Sequence, residues 1–514
     1  MKTTNKTLRL IAGDQLNHQH SWFSEINPEL TYVMMEIRSE TDYAKHHIQK
    51  VIGFFATMRH FAAELKAKGH ALIYLHLNDA ENLQAFDLNI LRLVEKYSFT
   101  HFEYLLPDEY RVDQHLKNLC EKLSIPICVS DTEHFLSTRE ELAQLFKGKK
   151  TFLMETFYRH MRRKHHILMQ GSEPLTGQWN YDKDNRKKLP AGHKCTSPLV
   201  FENDVRSIAE EIEQVKITTI GTVDAARFIW PISRTQALAL LAFFVQECLP
   251  LFGTYEDAMT PDDWSLYHSR LSFVLNNKLL SPREVLDAAI REWEGRPQEI
   301  TYNQLEGFVR QILGWREYMR GIYWATMPQF ANLNYFDHQQ KLPAWYWTGE
   351  TKMRCLSHSI KQSLSYAYAH HIQRLMVLGN FALLSGVHPD ELDQWFLGIY
   401  IDAIEWVEIT NTRGMSQFAD GGIVGSKPYI SSAAYIDKMS HYCGACYYKK
   451  ALKTGDKACP FNSLYWNFYD RHQDKLSKNP RISMMYNVWN RLKPDEKAAL
   501  LQQAEAYINQ IEQL

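Results

Sequence analysis

The segment LRLIAGDQL occupies residues 8–16 and joins a short apolar run to a glycine and two polar side chains. Similar short apolar runs return at residues 32–37, 71–77, 102–106 and 125–129. The stretches between them are amphipathic, and in residues 43–68 the apolar side chains recur at helical spacing. Such alternation of strand and helix is typical of a doubly wound parallel sheet, so residues 1–135 are predicted to form an α/β domain.

Polar side chains follow the first two apolar runs. Asp14 comes directly after the first run, Met35 lies in the second, and Glu40 lies just beyond it. Ligands of doubly wound sheets bind beyond the carboxyl ends of the strands, so these residues mark a predicted binding edge. The chain has no GxGxxG motif after a strand, which argues against a dinucleotide-binding Rossmann domain.

The chain changes character at about residue 136. Residues 157–166, FYRHMRRKHH, are strongly basic, and residues 179–190, WNYDKDNRKKLP, are polar and rich in turn formers. We interpret residues 136–203 as an interdomain linker with a basic, DNA-contacting loop, although a solvated linker fits the composition equally well. Residues 204–514 carry helical periodicity almost throughout and are predicted to form a large all-α domain. Its predicted helices include residues 233–249, 281–293, 302–323, 355–384 and 391–407.

The composition is that of a folded protein with several domains. The 514 residues are 45% hydrophobic and 23% charged, with a formal net charge of −1. A balanced charge excludes global attraction to DNA, so any nucleic-acid contact requires a local basic patch. We expect a cytoplasmic protein without membrane contact, because no signal-peptide pattern opens the chain and no run approaches a membrane span in length. We also expect a monomer.

The strongest chemical signal is Cys443-x2-Cys446-x12-Cys459-Pro460, with Cys355 as a possible fourth ligand. Cysteines stay reduced in the cytoplasm, which favours metal ligation over a disulfide framework. The spacing leaves two metals open. Zinc would need a ligand such as His441, whereas a distant fourth cysteine and a terminal Cys-Pro are more typical of iron–sulfur clusters.

Three segments of the C-terminal half resemble the photolyase and cryptochrome family: YHSRLSF (267–273), FVRQILGWREY (308–318) and HHIQRL (370–375). The resemblance implies an N-terminal antenna-binding α/β domain and a C-terminal helical domain that binds FAD. It assigns cofactor contacts to Ser269, Leu271, Ser272, Arg316, His371, Arg374, Asn380, Asp402 and Glu408. Arg374 would pair with Asp402 beside the flavin ring.

The resemblance is closest to one branch, the prokaryotic (6-4) photolyases, also called iron–sulfur bacterial cryptochromes and photolyases. It is carried by GDQL (13–16), WNYDKDNR (179–186), AYAHHIQRLMVLGNFALLSG (367–386), EWVE (405–408), GMSQFADGG (414–422) and CGACYYKKALKTGDKACPFN (443–462). It implies a [4Fe–4S] cluster on the four cysteines. It also implies light-driven repair of (6-4) photoproducts in UV-damaged DNA, by an electron from excited, reduced FAD to an extruded pyrimidine dimer.

The same resemblance implies roles at the lesion. His370 and His371 would supply protons, and Glu408 would lie near flavin N5. Tyr429 and Tyr435 would line the lesion pocket. Asp182 would contact the lesion through a divalent cation such as Mg²⁺, with Asp184 beside it and Asp257 as a weaker candidate.

Light harvesting and flavin reduction are implied as well. Asp14, Met35 and Glu40 would hold the antenna 6,7-dimethyl-8-ribityllumazine. Trp395 and Trp347 would relay electrons, but Phe396 stands where a relative has tyrosine, so the outer part of the relay is open.

Two other functions remain open at this stage. A blue-light photoreceptor without repair activity would share every cofactor motif, and the histidine pair and basic loop favour repair over it. A primase-like or zinc-type nucleic-acid-binding protein would contain the cysteines but no flavin.

Overall fold

Five parallel strands form the sheet of the N-terminal part, in the order β3-β2-β1-β4-β5. The strands are β1 Thr7–Leu10, β2 Leu30–Met35, β3 Leu72–Leu75, β4 His101–Leu105 and β5 Ile127–Ser130. The computed structural model describes residues 6–149 and 151–514. The doubly wound parallel sheet is therefore confirmed, and each predicted run coincides with a strand to within a few residues. Residues 1–5 of the predicted first domain lie outside the described part.

The α-helices of the described residues up to 203 are Ile48–Ala67, Phe86–Tyr97, Tyr110–Lys122, Glu141–Leu145 and Met154–His165. The first of them begins at Ile48 because the His47 side chain caps it by accepting a hydrogen bond from the backbone N–H of Gln49. A two-stranded ribbon, Met169–Gln170 with Glu173–Pro174, follows the last of them.

The rest of the described chain is helical, as predicted. Its α-helices are Arg206–Gln214, Arg234–Phe243, Leu249–Tyr255, Ser272–Asn276, Pro282–Gly295, Tyr302–Val309, Glu317–Thr326, Arg354–Tyr366, Asn380–Ser385, Pro389–Ile399, Glu405–Ile409, Ala433–Met439, Pro460–Arg471, Gln473–Leu476, Ser483–Arg491 and Pro494–Asn509. Four segments of π-helix adjoin these α-helices: Phe244–Cys248, Arg310–Arg316, Gln373–Gly379 and Thr410–Ser416.

Two predicted helices are each interrupted. The prediction for 355–384 is wrong at residues 367–370, because Ala367 adopts a left-handed conformation (φ 50°) that ends the helix Arg354–Tyr366. The prediction for 391–407 is wrong between Ile399 and Glu405, where the chain leaves the helix. Both breaks lie at predicted site residues, and helical periodicity alone does not reveal them.

The two faces of the sheet enter different cores. Leu8, Leu10 and Val33 pack with helices Phe86–Tyr97 and Tyr110–Lys122 in a small separate core. The alternate residues, including Tyr32 and Met34, pack with helix Ile48–Ala67 in a core shared with the helical part. The sheet is therefore joined to the helices through one face.

A glycine sets one close approach between these parts. A Cβ atom at Gly398 would collide with the carbonyl oxygen of Lys45, and the Gly398 carbonyl accepts a hydrogen bond of 2.9 Å from the backbone N–H of His47. A larger residue at position 398 would therefore separate the start of helix Ile48–Ala67 from helix Pro389–Ile399.

One continuous helix, Arg234–Tyr255, reaches the length and apolar composition of a membrane span, which the sequence analysis did not expect. Half of its most apolar stretch is buried inside the protein, and the core helix of a soluble protein meets the same criteria. A single helix of this kind is weak evidence for membrane insertion.

Candidate active site

A bidentate ion pair joins the two helix breaks. The guanidinium of Arg374 lies 3.0 and 3.1 Å from the two carboxylate oxygens of Asp402. The Ser272 hydroxyl donates to the same carboxylate at 2.6 Å, and the Asn276 amide donates to the Asp402 carbonyl at 2.7 Å. Three segments of the chain thus meet at Asp402, which contacts Arg374, Ser272 and Asn276.

Histidines lie beside this pair. His370 is buried, and neither of its ring nitrogens has a hydrogen-bond partner in the described structure. The His268 ring stacks on it at 4.6 Å between centroids. His371 lies at the protein surface and is exposed to solvent. Desolvation by nearby protein atoms and the charge of Arg374 still lower its pKa to about 4. We use the word cleft for the site that these three histidines and Arg374 define.

The turn before helix Ser272–Asn276 contains two further predicted cofactor contacts, Ser269 and Leu271. Ser269 accepts a weak hydrogen bond (3.4 Å) from the backbone N–H of Leu271, just before helix Ser272–Asn276 begins. Arg316 lies buried behind this helix, 3.3 Å from the Leu275 carbonyl. Two of its guanidinium nitrogens, Nε and Nη1, have no hydrogen-bond partner in the described structure, and Nη1 lies 3.7 Å from a carboxylate oxygen of Glu317. Burial lowers the pKa of Arg316 to about 10.

Asn380 has a different environment from the other predicted cofactor contacts. Its amide nitrogen donates to the backbone and hydroxyl oxygens of Ser431 at 3.0 and 3.1 Å, and its amide oxygen accepts from the Ser431 N–H. Both ends of the amide are thus used to hold the segment that leads to helix Ala433–Met439.

Three acidic side chains surround Arg186 at the outer edge of the cleft. Arg186 pairs with Asp182 at 2.6 Å and lies 3.6 and 3.7 Å from Asp257 and Glu256. The Tyr435 hydroxyl donates to Asp257 at 3.4 Å, and the Arg186 charge also acts on half-buried Tyr429. Glu256 was not predicted as a site residue, and burial raises its pKa to about 8. Asp184 is exposed and forms no ion pair in the described structure.

The basic helix Met154–His165 uses its charges within the protein. Arg162 is fully buried and donates to the Ile167 and Leu168 carbonyls, while Lys164 pairs with Glu141 at 2.6 Å. Three of its arginines, Arg159, Arg162 and Arg163, lie 4.7–5.2 Å from the Trp179 ring. The helix therefore anchors the loop that follows. The exposed lysines of that loop, Lys183, Lys187 and Lys188, form no ion pair in the described structure.

The four cysteines lie around one cavity. Cys355 is in the first turn of helix Arg354–Tyr366, Cys443 and Cys446 flank one turn, and Cys459 immediately precedes helix Pro460–Arg471. The described structure has no three of these sulfur atoms within 4.8 Å of one another. Four ligands of one tetrahedral zinc ion would be about 3.8 Å apart, given Zn–S bonds of about 2.3 Å. Burial and the three neighbouring thiols raise the pKa of Cys355 well above its ordinary value.

A second cavity opens at the carboxyl ends of β1 and β2, where the sequence predicts binding. Asp14, Met35 and Glu40 all line it, and so do Ala403 and Ile404, which follow Asp402. Burial raises the pKa of Asp14 to about 6, and Glu40 pairs with Arg111 at 2.7 Å. Two further lining residues, His46 and Lys50, were not predicted, because their burial results from tertiary packing.

Trp395 is fully buried at the inner end of the predicted relay. Its indole N–H donates to the Tyr346 carbonyl at 3.1 Å, and its ring meets that of Tyr346 edge-on at 5.2 Å. Phe396 and Tyr400 lie 5.4 and 6.1 Å from it. Trp347 is 39% exposed. Tyr346 and Tyr400 are thus aromatic neighbours that sequence analysis did not identify.

Known proteins resemble both the sequence and the fold. The family described as deoxyribodipyrimidine photo-lyase-related protein matches residues 9–228. A (6-4) photolyase of Agrobacterium fabrum is 39% identical over 512 residues, which cover 98% of this chain and 99% of that protein. An uncharacterized protein of Acanthamoeba polyphaga mimivirus, R855, is 30% identical over 136 residues, or 26% of this chain and all of that protein.

The fold has a counterpart among solved structures. A bacterial class III photolyase from Agrobacterium tumefaciens superposes with a TM-score of 0.57 at 17% sequence identity, over 85% of each chain. At that identity the likeness concerns the fold alone.

Proposed function

This chain belongs to the prokaryotic (6-4) photolyase family, and on that premise we propose that it uses blue light to repair (6-4) photoproducts in DNA. The observation that carries the proposal is the cleft, in which His370 and His371 lie at the start of the helix that also contains Arg374. A repair enzyme must hold cofactor and lesion within reach of each other, and a single helix presents groups for both.

The residues of the cleft fit an FAD molecule. Arg374 and Asp402 would orient the flavin ring, and the buried Arg316 nitrogens without a hydrogen-bond partner offer donors to an anionic or carbonyl group. Ser269, Leu271 and Ser272 would hold its phosphates through the Ser269 hydroxyl and backbone N–H groups, since the Ser272 hydroxyl already donates to Asp402. Bound FAD would supply the absorption of blue light and the electron that starts repair.

The histidines fit proton transfer to the lesion. An oxygen must move between the two bases of a (6-4) photoproduct, and this rearrangement needs a proton donor. His371 is the accessible member of the group, whereas His370 is buried behind it against His268. We therefore assign the donor role to His371 and a supporting role to His370. Tyr429 and Tyr435 would border the extruded bases.

The cysteines fit a [4Fe–4S] cluster better than zinc. Their sulfur atoms are spread more widely than one tetrahedral ion holds them, and they line a shared cavity. Cys355, Cys443, Cys446 and Cys459 would be the four ligands. A cluster there would supply a covalent tie between helices that are distant in sequence.

The N-terminal cavity fits an antenna pigment such as 6,7-dimethyl-8-ribityllumazine. Asp14 and Glu40 offer acceptors to ribityl hydroxyls, and Met35 offers an apolar wall. A pigment there would supply additional light absorption next to the segment that carries Asp402.

The outer edge of the cleft fits damaged DNA. Lys183 and Lys187 can contact phosphates, while the carboxylates of Asp182, Asp257 and Glu256 provide oxygen ligands of the kind that Mg²⁺ prefers. Arg186 lies among these carboxylates, so a divalent cation would have to displace it.

Trp395 and Trp347 would relay electrons for reduction of the flavin. Since Phe396 cannot lose a proton as tyrosine does, we assign the intermediate position to Tyr346, whose ring contacts Trp395 directly.

The test is repair of defined lesions. The purified protein is illuminated with oligonucleotides that carry either a (6-4) photoproduct or a cyclobutane dimer, with and without Mg²⁺, and the products are separated by chromatography. We expect blue-light-dependent restoration of the (6-4) site and none in the dark. A flavin-loaded protein that restores neither lesion would identify a photoreceptor, and a protein without a flavin absorption band would refute both functions.

A further inference from the structure

Two glycines of the helical part face the side chain of Asn185. Gly253 lies in helix Leu249–Tyr255 and Gly307 in helix Tyr302–Val309. A Cβ atom at Gly253 would lie 2.7 Å from Asn185 Oδ1 and 2.9 Å from its Nδ2, and one at Gly307 would lie 2.9 Å from the same Nδ2. Neither glycine has a positive φ, so the backbone conformation does not require glycine at either position. Both instead leave the space that the amide of Asn185 fills.

Asn185 is buried although it belongs to a polar surface segment. Only 7% of its surface is exposed, and among residues 180–188, all of which the structure describes, it is the only buried residue. Its Oδ1 accepts a hydrogen bond of 2.9 Å from Asn303 Nδ2, and its Nδ2 lies 3.5 Å from the Asn303 carbonyl oxygen. These partners matter because an amide without hydrogen bonds is costly to bury. The segment thus inserts one polar side chain between two helices.

The backbone that follows Asn185 is bonded to the first of these helices. The Arg186 N–H donates to the Gly253 carbonyl at 3.3 Å, and the Lys187 N–H donates to the Thr254 carbonyl at 2.7 Å. Arg186 has a left-handed backbone conformation, with a φ of 71°. Such a conformation is unfavourable for a residue other than glycine, so the neighbouring contacts must hold it. Together they fix the direction in which the Arg186 side chain leaves the backbone.

Further contacts hold both ends of the segment. At the start, the Trp179 carbonyl accepts a hydrogen bond of 3.0 Å from Arg310 Nη2. The Tyr181 N–H donates to the buried Glu306 carboxylate at 3.2 Å. At the far end, Leu189 is buried in a small apolar cluster. The segment is therefore held at its two ends and, through Asn185, at its centre.

We propose that Asn185 is a positioning residue, which locks residues 179–189 against the helical part before DNA binds. The locked segment presents Lys183, Arg186 and Lys187 at the outer edge of the cleft in a fixed geometry. A segment that is ordered in advance loses less conformational freedom on binding, so more of the contact energy appears as affinity. The role in DNA binding rests on the proposed function, whereas the locking itself concerns the free protein.

Limited trypsin digestion of the free protein in the dark tests the locking. Trypsin cleaves after the lysines and the arginine of residues 183–188 only where the backbone can leave its folded position. In Asn185→Ala these bonds should be cleaved at least about tenfold faster than in the wild type. The reason is that the alanine side chain neither fills the space between the helices nor bonds to Asn303.

The matched control is Asn490→Ala, which changes an exposed asparagine of helix Ser483–Arg491. This variant should be cleaved between residues 183 and 188 at the rate of the wild type. The same rate in Asn185→Ala would overturn the proposal.

Gly253 offers a second variant that leaves Asn185 in place. Gly253→Ala should also expose the segment to trypsin, because its methyl group takes the space of the Asn185 amide. In the double variant with Asn185→Ala this collision is absent, so the second substitution should add no further cleavage. Effects that multiply in the double variant would contradict a shared space. Alanine is a better helix former than glycine, so Gly253→Ala keeps the test valid if Asn185→Ala folds poorly.

The second measurement is the dissociation constant for a duplex that carries a (6-4) photoproduct, taken in the dark by fluorescence anisotropy. Asn185→Ala should weaken this binding about tenfold, with a smaller effect on the single-turnover repair rate at saturating DNA. A slower repair rate without a loss of affinity would contradict the positioning role. Faster trypsin cleavage with unchanged affinity would contradict the role of the segment in DNA binding.

The repair assay separates the two proposals. A wild type that resists trypsin through Asn185 but repairs no lesion would refute the proposed function and leave the locked segment standing. A wild type that repairs (6-4) photoproducts, while Asn185→Ala matches it in cleavage and in affinity, would do the reverse.

Discussion

The protonation of single side chains in the cleft follows from their surroundings. Desolvation lowers the pKa of His268 to about 3 and that of His371 to about 4, so both are neutral at pH 7 before DNA binds. Phosphate groups of bound DNA would raise the pKa of His371, because a nearby negative charge favours the imidazolium form. In the proposed function, bound DNA would thus help to protonate His371.

Replacing His371 by alanine should abolish (6-4) repair, with a loss of at least about 100-fold, while FAD stays bound. The protonated fraction of His371 rises as pH falls, so the wild-type repair rate should increase from pH 8 towards pH 6. This can be measured by single-turnover repair under blue light. His60→Ala, at an exposed position of helix Ile48–Ala67, is the control. Repair that persists in His371→Ala would refute the donor role.

At the scale of secondary-structure elements, two helix interruptions position the candidate site. The break after Tyr366 places His370 and His371 at the start of a new helix, and the break after Ile399 exposes Asp402 to Arg374. In an uninterrupted helix these residues would follow the 3.6-residue period and could not converge on one point. The sequence predicted helical content here correctly but not the breaks.

Cys443→Ser should lose iron and soluble expression, because the proposed cluster would join the turn that carries Cys443 to helices Arg354–Tyr366 and Pro460–Arg471. Iron content and thermal unfolding are the measurements. Cys128→Ser, which changes an exposed cysteine on β5, should retain both. A well-folded Cys443→Ser protein without iron would show that the fold does not require the cluster.

A buried lysine links the two parts of the molecule. Lys278, from the helical part, donates to the Asp14 carbonyl and to the Asp108 carboxylate, each at 2.5 Å. The Lys278 side chain is 1% exposed and that of Asp108 is 2% exposed. Removal of one member of such a pair leaves the other charge buried and uncompensated.

Lys278→Met should therefore lower the free energy of unfolding by about 3–5 kcal/mol in urea denaturation. Arg283→Ala, which removes a solvent-exposed pair with Asp287, is the control and should cost less than about 1 kcal/mol. Lys278→Met combined with Asp108→Asn should recover part of the loss. Equal effects of Lys278→Met and Arg283→Ala would show that the Lys278–Asp108 pair contributes little to stability.

The sequence by itself determined the parallel sheet, the helical C-terminal part and the set of four cysteines. These features depend on local periodicity and spacing, which are read along the chain. Only the tertiary structure revealed that the arginines of the basic helix contact the Trp179 ring, and that Glu256 joins Asp182 and Asp257 around Arg186. Burial and charge depend on groups far apart in sequence, and a carboxyl group acquires its chemistry only when folding removes water from it and supplies its neighbours.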